Sequence, residues 1–566
     1  MQKCENRWDK WTSAEKEALI KKGLHKDTRG PRRKVIVVGA GMAGLVAAYE
    51  LKRANYGVVL LEAQHRVGGR IWTLREPFAD GLYAEAGAMR VPKTHKLIRT
   101  YIKRAKLQSK LRPFLINSPN ALCYFNKTSL RLSEYEETPE RLGFNTPRRR
   151  RDEAGRLRQA FRRAPDGQVT MPYKVDKGQP VTGPDWRCRT TKDLWADVIE
   201  GIKRSPRFFK AGEANWEALS RAFDHVSTIT FLEEGGANEP LHYKGAAGKR
   251  PKQLFDPWTP EEINMFGQME GQHARLNNSV LALLREHMYT PLDGSGDGYE
   301  YLDGGTDQLP RWFLHELGDD IRFGAWVEHI DILSDSKVSV GYRTAAQADR
   351  HEEVGDHLVL AMPFTMLRHM SGTSIFSPEK LRAIHALNYS AAGKIFLQCR
   401  TRFWEHGSNP ISGGHSQTDL ALRSTWYPQH GRETGRGVLL ASYTWGRDAE
   451  RWGHLDERDR IRRAIERLDE LHRSSAGERF IIKEGVVEVG KSVMWQNEEF
   501  AGGAFALFNP QQQRIHLEAI RRPEGGGRIH FAGEHTCPEY HRWIEGAVDS
   551  GLRAAWEVSG PGQGLA

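Results

Sequence analysis

Lys34-Val-Ile-Val-Val38 runs directly into Gly39-Ala40-Gly41-Met42-Ala43-Gly44, and this junction constrains the chain more than any other stretch. Four consecutive β-branched residues, Val35–Val38, without polar alternation read as a parallel strand buried on both faces. The apolar face recurring from Ala43 to Ala54 reads as a helix, and Gly57-Val-Val-Leu-Leu-Glu62 as the next strand. Gly39 allows the tight turn, Gly41 lets backbone approach a pyrophosphate, and Gly44 lets helix and strand pack closely. The helix N-terminus then aims unpaired N–H groups at phosphate. Glu62, 23 positions after Gly39, can accept both hydroxyls of a ribose and repels a 2′-phosphate. A dinucleotide site follows; from these residues both NAD and FAD remain open.

Composition narrows the surroundings. At 566 residues the chain has room for three or four units, and its 16 Trp and 22 Phe can support packed cores, which excludes a wholly disordered polyelectrolyte. Apolar runs such as Val35–Val38 and Val58–Leu61 fall far short of the roughly 20 residues of a membrane helix. Cys4, Cys123, Cys188, Cys399 and Cys537 are odd in number and scattered, forming neither a CxxC metal pattern nor a disulfide framework. No metal site is expected. The charged N-terminus lacks a signal-like apolar core, so a reduced, cytoplasmic protein is the expectation; a processed secreted form would look the same. Net charge is +11, much of it between Arg141 and Arg163, which holds Arg148–Arg151, Arg156, Arg158, Arg162 and Arg163. With turn residues and few aromatics, this reads as an exposed loop, with a nucleic-acid contact as the alternative. No nucleic-acid partner is expected.

Gly68-Gly69-Arg70 follows Glu62-Ala63 closely, and together they resemble the extended signature of the flavin amine oxidases. Arg528-Ile-His-Phe-Ala-Gly533-Glu534-His-Thr resembles that family's second flavin segment, and Trp543-Ile544-Glu-Gly-Ala547 begins a stretch similar to the helix completing the site. The resemblance implies FAD and an α/β fold: a Rossmann-type domain interleaved with a mixed-sheet substrate domain and an inserted helical domain. It assigns the cofactor to Gly39, Gly41, Met42, Ala43, Gly44, Glu62, Ala63, Gly69, Arg70, Gly87, Ala88, Met89, Arg90, Val327, Trp495, Gly533, Glu534, Trp543, Ile544 and Ala547. Ala504 stands where covalently flavinylated relatives carry a Cys, so noncovalent FAD is implied. The implied divisions are an arm at 1–31, an FAD domain at 32–72, 301–370 and 512–566, and a substrate domain at 80–130 and 371–511. A basic insertion at 140–189 and a helical domain at 190–300 complete the chain.

Within that family, Tyr83-Ala-Glu-Ala-Gly87-Ala88-Met89-Arg90 and Gly413-Gly414-His-Ser-Gln-Thr-Asp419, continuing to Trp426-Tyr427-Pro428, resemble segments of L-amino-acid oxidases. By this resemblance Arg90 and Tyr427 hold the substrate carboxylate, and a planar guanidinium suits that task. Lys394 is the lysine beside the flavin, on a strand whose alternation predicts one buried face. His287 is the candidate base, and Arg542 and Trp543 also touch substrate. The implied reaction is oxidative deamination: hydride leaves Cα, the imino acid hydrolyses to a 2-oxo acid and ammonia, and O2 becomes H2O2. A 2-monooxygenase giving an amide, or an oxidase of non-carboxylated amines, shares most of these parts. Glu233-Glu234 and Glu498-Glu499 suggest a preference for basic amino acids. A homodimer is the implied assembly, with no membrane partner.

Overall fold

Five parallel strands form the sheet on which the glycine-rich turn sits, in the order Ile321–Phe323, Gly57–Glu62, Lys34–Val38, His357–Leu360, Ile529–Phe531. The computed structural model describes residues 7–144, 189–237, 253–289, 298–473 and 480–560, except 27, 29, 211, 335–336 and 345–346, plus four two-residue strands between 150 and 170. Most of the basic insertion, and with it most of the expected exposed loop at Arg141–Arg163, lies outside the described residues, as do Cys4 and Cys188.

Lys34–Val38 is central in this sheet, and Val35, Ile36 and Val37 are fully buried, as an unbroken apolar run requires. On one face pack the helices Met42–Arg53 and Ile544–Ser559, which share a core through Leu45, Val46, Ala48, Val548 and Leu552. They approach so closely that a Cβ on Gly551 would lie 2.2 Å from the Ala43 carbonyl oxygen. The opposite face, through Ile36, Val38, Leu358 and Phe531, meets an antiparallel sheet of Ala325–Ser334, Lys337–Thr344 and Gln347–Gly355. Gly324, at φ +65°, separates Ile321–Phe323 from Ala325–Ser334, so that these two strands join different sheets.

The second large sheet is mixed and seven-stranded: Val487–Met494, Ala392–Cys399, Gly437–Trp445, Ser424–Trp426, His415–Thr418, Leu122–Phe125, Thr128–Arg131. Ala392–Cys399 is buried along its whole length, where alternation suggested one buried face. Ile395, Leu397 and Cys399 pack with Ala464, Leu468 and Leu471 of helix Glu457–Leu471, while Ala392 and Phe396 face Trp495 and Val493. Both sides of this inner strand are therefore covered, and Gln398 and Lys394 meet their polar needs internally.

Helices Thr191–Lys203, Trp216–Phe223, Pro260–Met269 and Val280–Tyr289 share a third core. Thr259 caps Pro260–Met269 reciprocally with Glu262, which explains the sharp start. At the N-terminus, Thr12 and Glu15 cap Ser13–Lys22 in the same way. Trp8 packs on Trp11 and Trp556, and Lys16 pairs with Asp549 at 2.8 Å, docking this arm on the last helix. Among the described residues no helix is long and apolar enough to cross a membrane.

Candidate active site

A cavity of about 680 Å³ runs from the glycine-rich turn, past the ends of the parallel strands, to the face of the seven-stranded sheet. Gly39, at φ +99°, reverses the chain at the end of its strand. A Cβ at Gly41 would meet nothing within 4 Å, so the backbone itself is offered to the cavity. No side chain caps helix Met42–Arg53, and Met42 and Ala43, whose amides begin it, line the cavity. These are the fittings of a pyrophosphate. Gly44 does not line the cavity; a Cβ there would lie 1.9 Å from the Gly39 oxygen, which is the close packing foreseen for it. Glu62 ends its strand inside the cavity, its carboxylate oriented by the amides of Ala40 at 2.6 Å and Gln64 at 2.9 Å. Ala63, Gly69 and Val327 join the same wall.

The two ends of the chain are joined here. Arg70 Nη1 donates to Glu534 Oε1 at 2.8 Å and to the Ala504 carbonyl at 3.1 Å. Glu534 also accepts from the amides of Ala506 and Arg542, and Gly533 lines the cavity beside it. Gly87 must be glycine, since a Cβ would fall 1.9 Å from the Arg70 oxygen. Trp495, its indole N–H bonded to the Ala86 carbonyl, and Trp543, Ile544 and Ala547 complete this middle stretch with Ala88 and Met89. The donors, the open glycine backbone, the buried acid and the extent of the cavity fit a flavin-bearing dinucleotide.

At the far end stands Arg90. Its guanidinium carbon lies 5.2 to 5.9 Å from the ring centres of Tyr299, Trp426, Trp543 and Phe114. Each such contact contributes about 0.5–1 kcal/mol, and together they fix the side chain without neutralising it. Arg90 has no carboxylate partner among the described residues. Lys394 donates to the carbonyls of Glu85 at 2.9 Å and Gly87 at 2.7 Å and sits 4.8 Å over the Tyr443 ring. Burial, reinforced by Arg90 and opposed by Glu85, pulls its amine down to about 7. The Glu85 carboxyl is itself pushed up by burial, to about 7, against hydrogen bonds from Thr306 and Thr73.

Two expected residues are elsewhere. Tyr427 lies outside this cavity: its hydroxyl is hydrogen-bonded to Ser416 at 2.6 Å and to His472 at 3.0 Å, in the core behind the sheet. The preceding residue, Trp426, faces Arg90 instead, stacked on His415. Trp426 ends the strand Ser424–Trp426 and Tyr427 follows it, its amide bonded to the Gly414 carbonyl at 3.0 Å, so the pair delivers its indole, not its hydroxyl, toward Arg90. The phenol that does line the cavity is Tyr443, directly opposite Lys394 in the strand register. His287 is also displaced. It packs on Trp195 with ring centres 4.6 Å apart, Nε2 buried without an acceptor among the described residues, and burial pulls its pKa down to about 4. Its neighbour Glu286 lines the cavity, held by Arg275 and Arg542 at 2.5 Å each. Burial pushes the Glu286 carboxyl up, but the two guanidinium groups prevail and hold it well below the carboxylate range.

Glu233 and Glu234 end the helical turn Thr228–Glu233, and neither lines the cavity. Glu499 lines it, and its neighbour Phe500 packs on Trp326 beside Val327.

Known proteins resemble this chain over nearly its whole length. YobN of Bacillus subtilis (strain 168), provisionally named an L-amino-acid oxidase, is 31% identical over 96% of this chain and 97% of its own length. The L-amino-acid oxidase of Pseudechis australis is 29% identical over 96% of the chain and 89% of its own. Among solved structures, a redesigned putrescine oxidase superposes with a TM-score of 0.62 at 19% identity, covering 93% of this chain and 98% of that one. Cyclohexylamine oxidase from Brevibacterium oxydans IH-35A gives 0.59 at 17% identity, covering 94% and 99%. These structural likenesses concern the fold. The family model described as flavin containing amine oxidoreductase matches residues 42–559, and the chain belongs to that family of flavoprotein oxidoreductases.

Proposed function

We propose that the chain is an FAD-dependent L-amino-acid oxidase, converting an L-amino acid, water and O2 to a 2-oxo acid, ammonia and H2O2. The observation that carries this reading is Arg90: a fixed guanidinium with no anionic partner among the described residues, at the end of a dinucleotide cavity. A non-carboxylated amine would leave that cation unmet, whereas an α-carboxylate matches its fork.

FAD would be held by the glycine-rich turn, Glu62, the Arg70–Glu534 pair and the walls Trp495 and Trp543. When bound it accepts hydride from Cα and passes the electron pair to O2. Arg90 binds the carboxylate, with the Tyr443 hydroxyl as a second donor from the same lining, and thereby orients the α-hydrogen. Trp426, Trp543 and Tyr299 brace Arg90 and exclude water around it. Among the described residues the imidazole in the lining is that of His369, two positions before Ser371, whose amide donates to the Glu328 carbonyl beside Val327. The positive field of Arg90 and Arg542 disfavours an ammonium and so helps the substrate amine reach its neutral, reactive form. Lys394, with an amine near neutrality, can hold or release a proton at Nζ between the Glu85 and Gly87 carbonyls. Noncovalent binding is supported by Ala504, which lines the cavity where no thiol does among the described residues.

The test is H2O2 release with product mass, across L-amino acids, their D-forms and their decarboxylated amines. The reading expects peroxide and 2-oxo acid from L-forms. Turnover of bare amines would overturn the role of Arg90, and an amide product would make the enzyme a monooxygenase.

A further inference from the structure

One acid and two arginines meet at the substrate end of the cavity. Glu286 comes from helix Val280–Tyr289 and Arg542 from the loop before Ile544–Ser559, and both line the wall. A single oxygen, Glu286 Oε2, takes Arg542 Nη2 and Arg275 Nη1, each at 2.5 Å. Arg275 stands behind, 2% exposed, in the turn His273–Arg275. Two cations share one anion here, which leaves one positive charge uncompensated in a buried place.

The hydrogen-bond inventory leans the same way. Arg542 Nε and Arg275 Nε and Nη2 are buried with no acceptor among the described residues. The unmet atoms of these two side chains are all donors, so the group that would complete them is an acceptor, best a charged one. Of the two arginines, only Arg542 lines the cavity. Its side chain is 6% exposed and stacks over Phe505 at 5.5 Å. Its backbone, at φ +72°, lies in the left-handed region that side chains usually avoid, held there by its amide hydrogen bond to Glu534 at 2.8 Å. The guanidinium is therefore presented to the cavity by a strained backbone pinned to the acid that also binds Arg70.

A cationic side chain has little to meet at this end. The negative charge of Glu286 is already answered twice, and Arg542 and Arg90 would repel an incoming ammonium. We infer that Arg542 is the side-chain subsite of this cavity and takes a carboxylate, so that the preferred substrates are amino dicarboxylic acids bridging Arg90 and Arg542. The inference rests on the reading of Arg90 as the α-carboxylate site. Glu286 acts as a positioning residue that holds one side of Arg542 and leaves the rest of its guanidinium to the cavity.

The experiment uses the holoenzyme in two measurements. The first compares kcat/KM for L-glutamate and L-aspartate with neutral L-glutamine and L-norvaline and with basic L-ornithine. One acidic substrate should exceed its neutral counterparts by about tenfold or more, and this ratio should collapse in Arg542→Gln. The second titrates glutarate against valerate, following the flavin absorbance. Glutarate has two carboxylates and no amine, and should bind at least about tenfold more tightly, an advantage again lost in Arg542→Gln. Preferred turnover of neutral or basic L-amino acids, or equal binding of the two acids, would overturn the subsite while leaving the Arg90 reading intact. Failure to oxidise any L-amino acid, with neither acid binding, would overturn both. Should Arg542→Gln not fold, the wild-type comparisons still decide.

Discussion

Arg70 and Glu534 are 464 positions apart in sequence and 2.8 Å apart in space, and their pair ties the first flavin segment to the last. Glu534 is nearly buried and also receives two backbone amides, so loss of its cation leaves a charge with only partial compensation. Because Arg70 is partly exposed, the cost is expected at the low end for buried pairs, about 1–3 kcal/mol. Arg70→Met should lower the melting temperature of the holoenzyme and release flavin on gel filtration. A variant that keeps both would show that the pair is dispensable to cofactor retention.

Arg90 offers the most direct functional test. Arg90→Met should reduce kcat/KM toward L-amino acids by a factor on the order of 10² or more, the loss of a charge-paired hydrogen bond worth about 3 kcal/mol. Arg90→Lys should recover only part of this, since an ammonium lacks the planar fork. Equal rates in wild type and Arg90→Met would mean that the substrate carboxylate is held elsewhere.

The neighbouring tyrosines should separate cleanly. Tyr443→Phe should raise KM for amino acids several-fold if its hydroxyl reaches the carboxylate, at about 1 kcal/mol for one hydrogen bond. Tyr427→Phe should instead cost about 1–3 kcal/mol of stability by stranding Ser416 and His472, with KM little altered. The opposite pattern would restore Tyr427 to the site.

Histidine 287 should not govern the pH dependence. His287→Leu keeps the packing against Trp195, and the pH–rate profile of amino-acid oxidation should retain its shape. A limb of the profile that disappears in this variant would identify His287 as the base after all.

Lys394 should govern the oxygen reaction. Its amine is pulled down to about 7, chiefly by burial, so Nζ is a cation below that pH and neutral above it. A cation at this position favours charge developing on O2. The rate of reoxidation should therefore fall as pH rises through about 7, and the step should be absent in Lys394→Met, as stopped-flow absorbance would show.

How far these features were legible in the sequence depends on the range of the interactions behind them. Strand, glycine-rich turn, helix and second strand are set within 29 consecutive residues, from Lys34 to Glu62, and each is favoured by its own neighbours. Arg90 and Lys394 were also readable, because each sits inside an extended matching segment. Arg275 gave no signal: it is 2% exposed, in a short turn with no distinctive pattern, and acquires meaning only by meeting Glu286.

The sequence by itself determined that this chain builds a dinucleotide cavity and carries an arginine to its far end. Tertiary structure alone decided which member of one adjacent pair meets Arg90 and which member of another lines the cavity. In Trp426-Tyr427 a strand ends between the neighbours, and in Glu286-His287 a helix turns them about 100° apart. Motif similarity locates such a pair to within one residue, but the packing of the sheet against Arg90, and of the helix against Trp195, sets the phase. A shift of that single step exchanges a phenol for an indole and an imidazole for a carboxylate, and with them the chemistry of the wall.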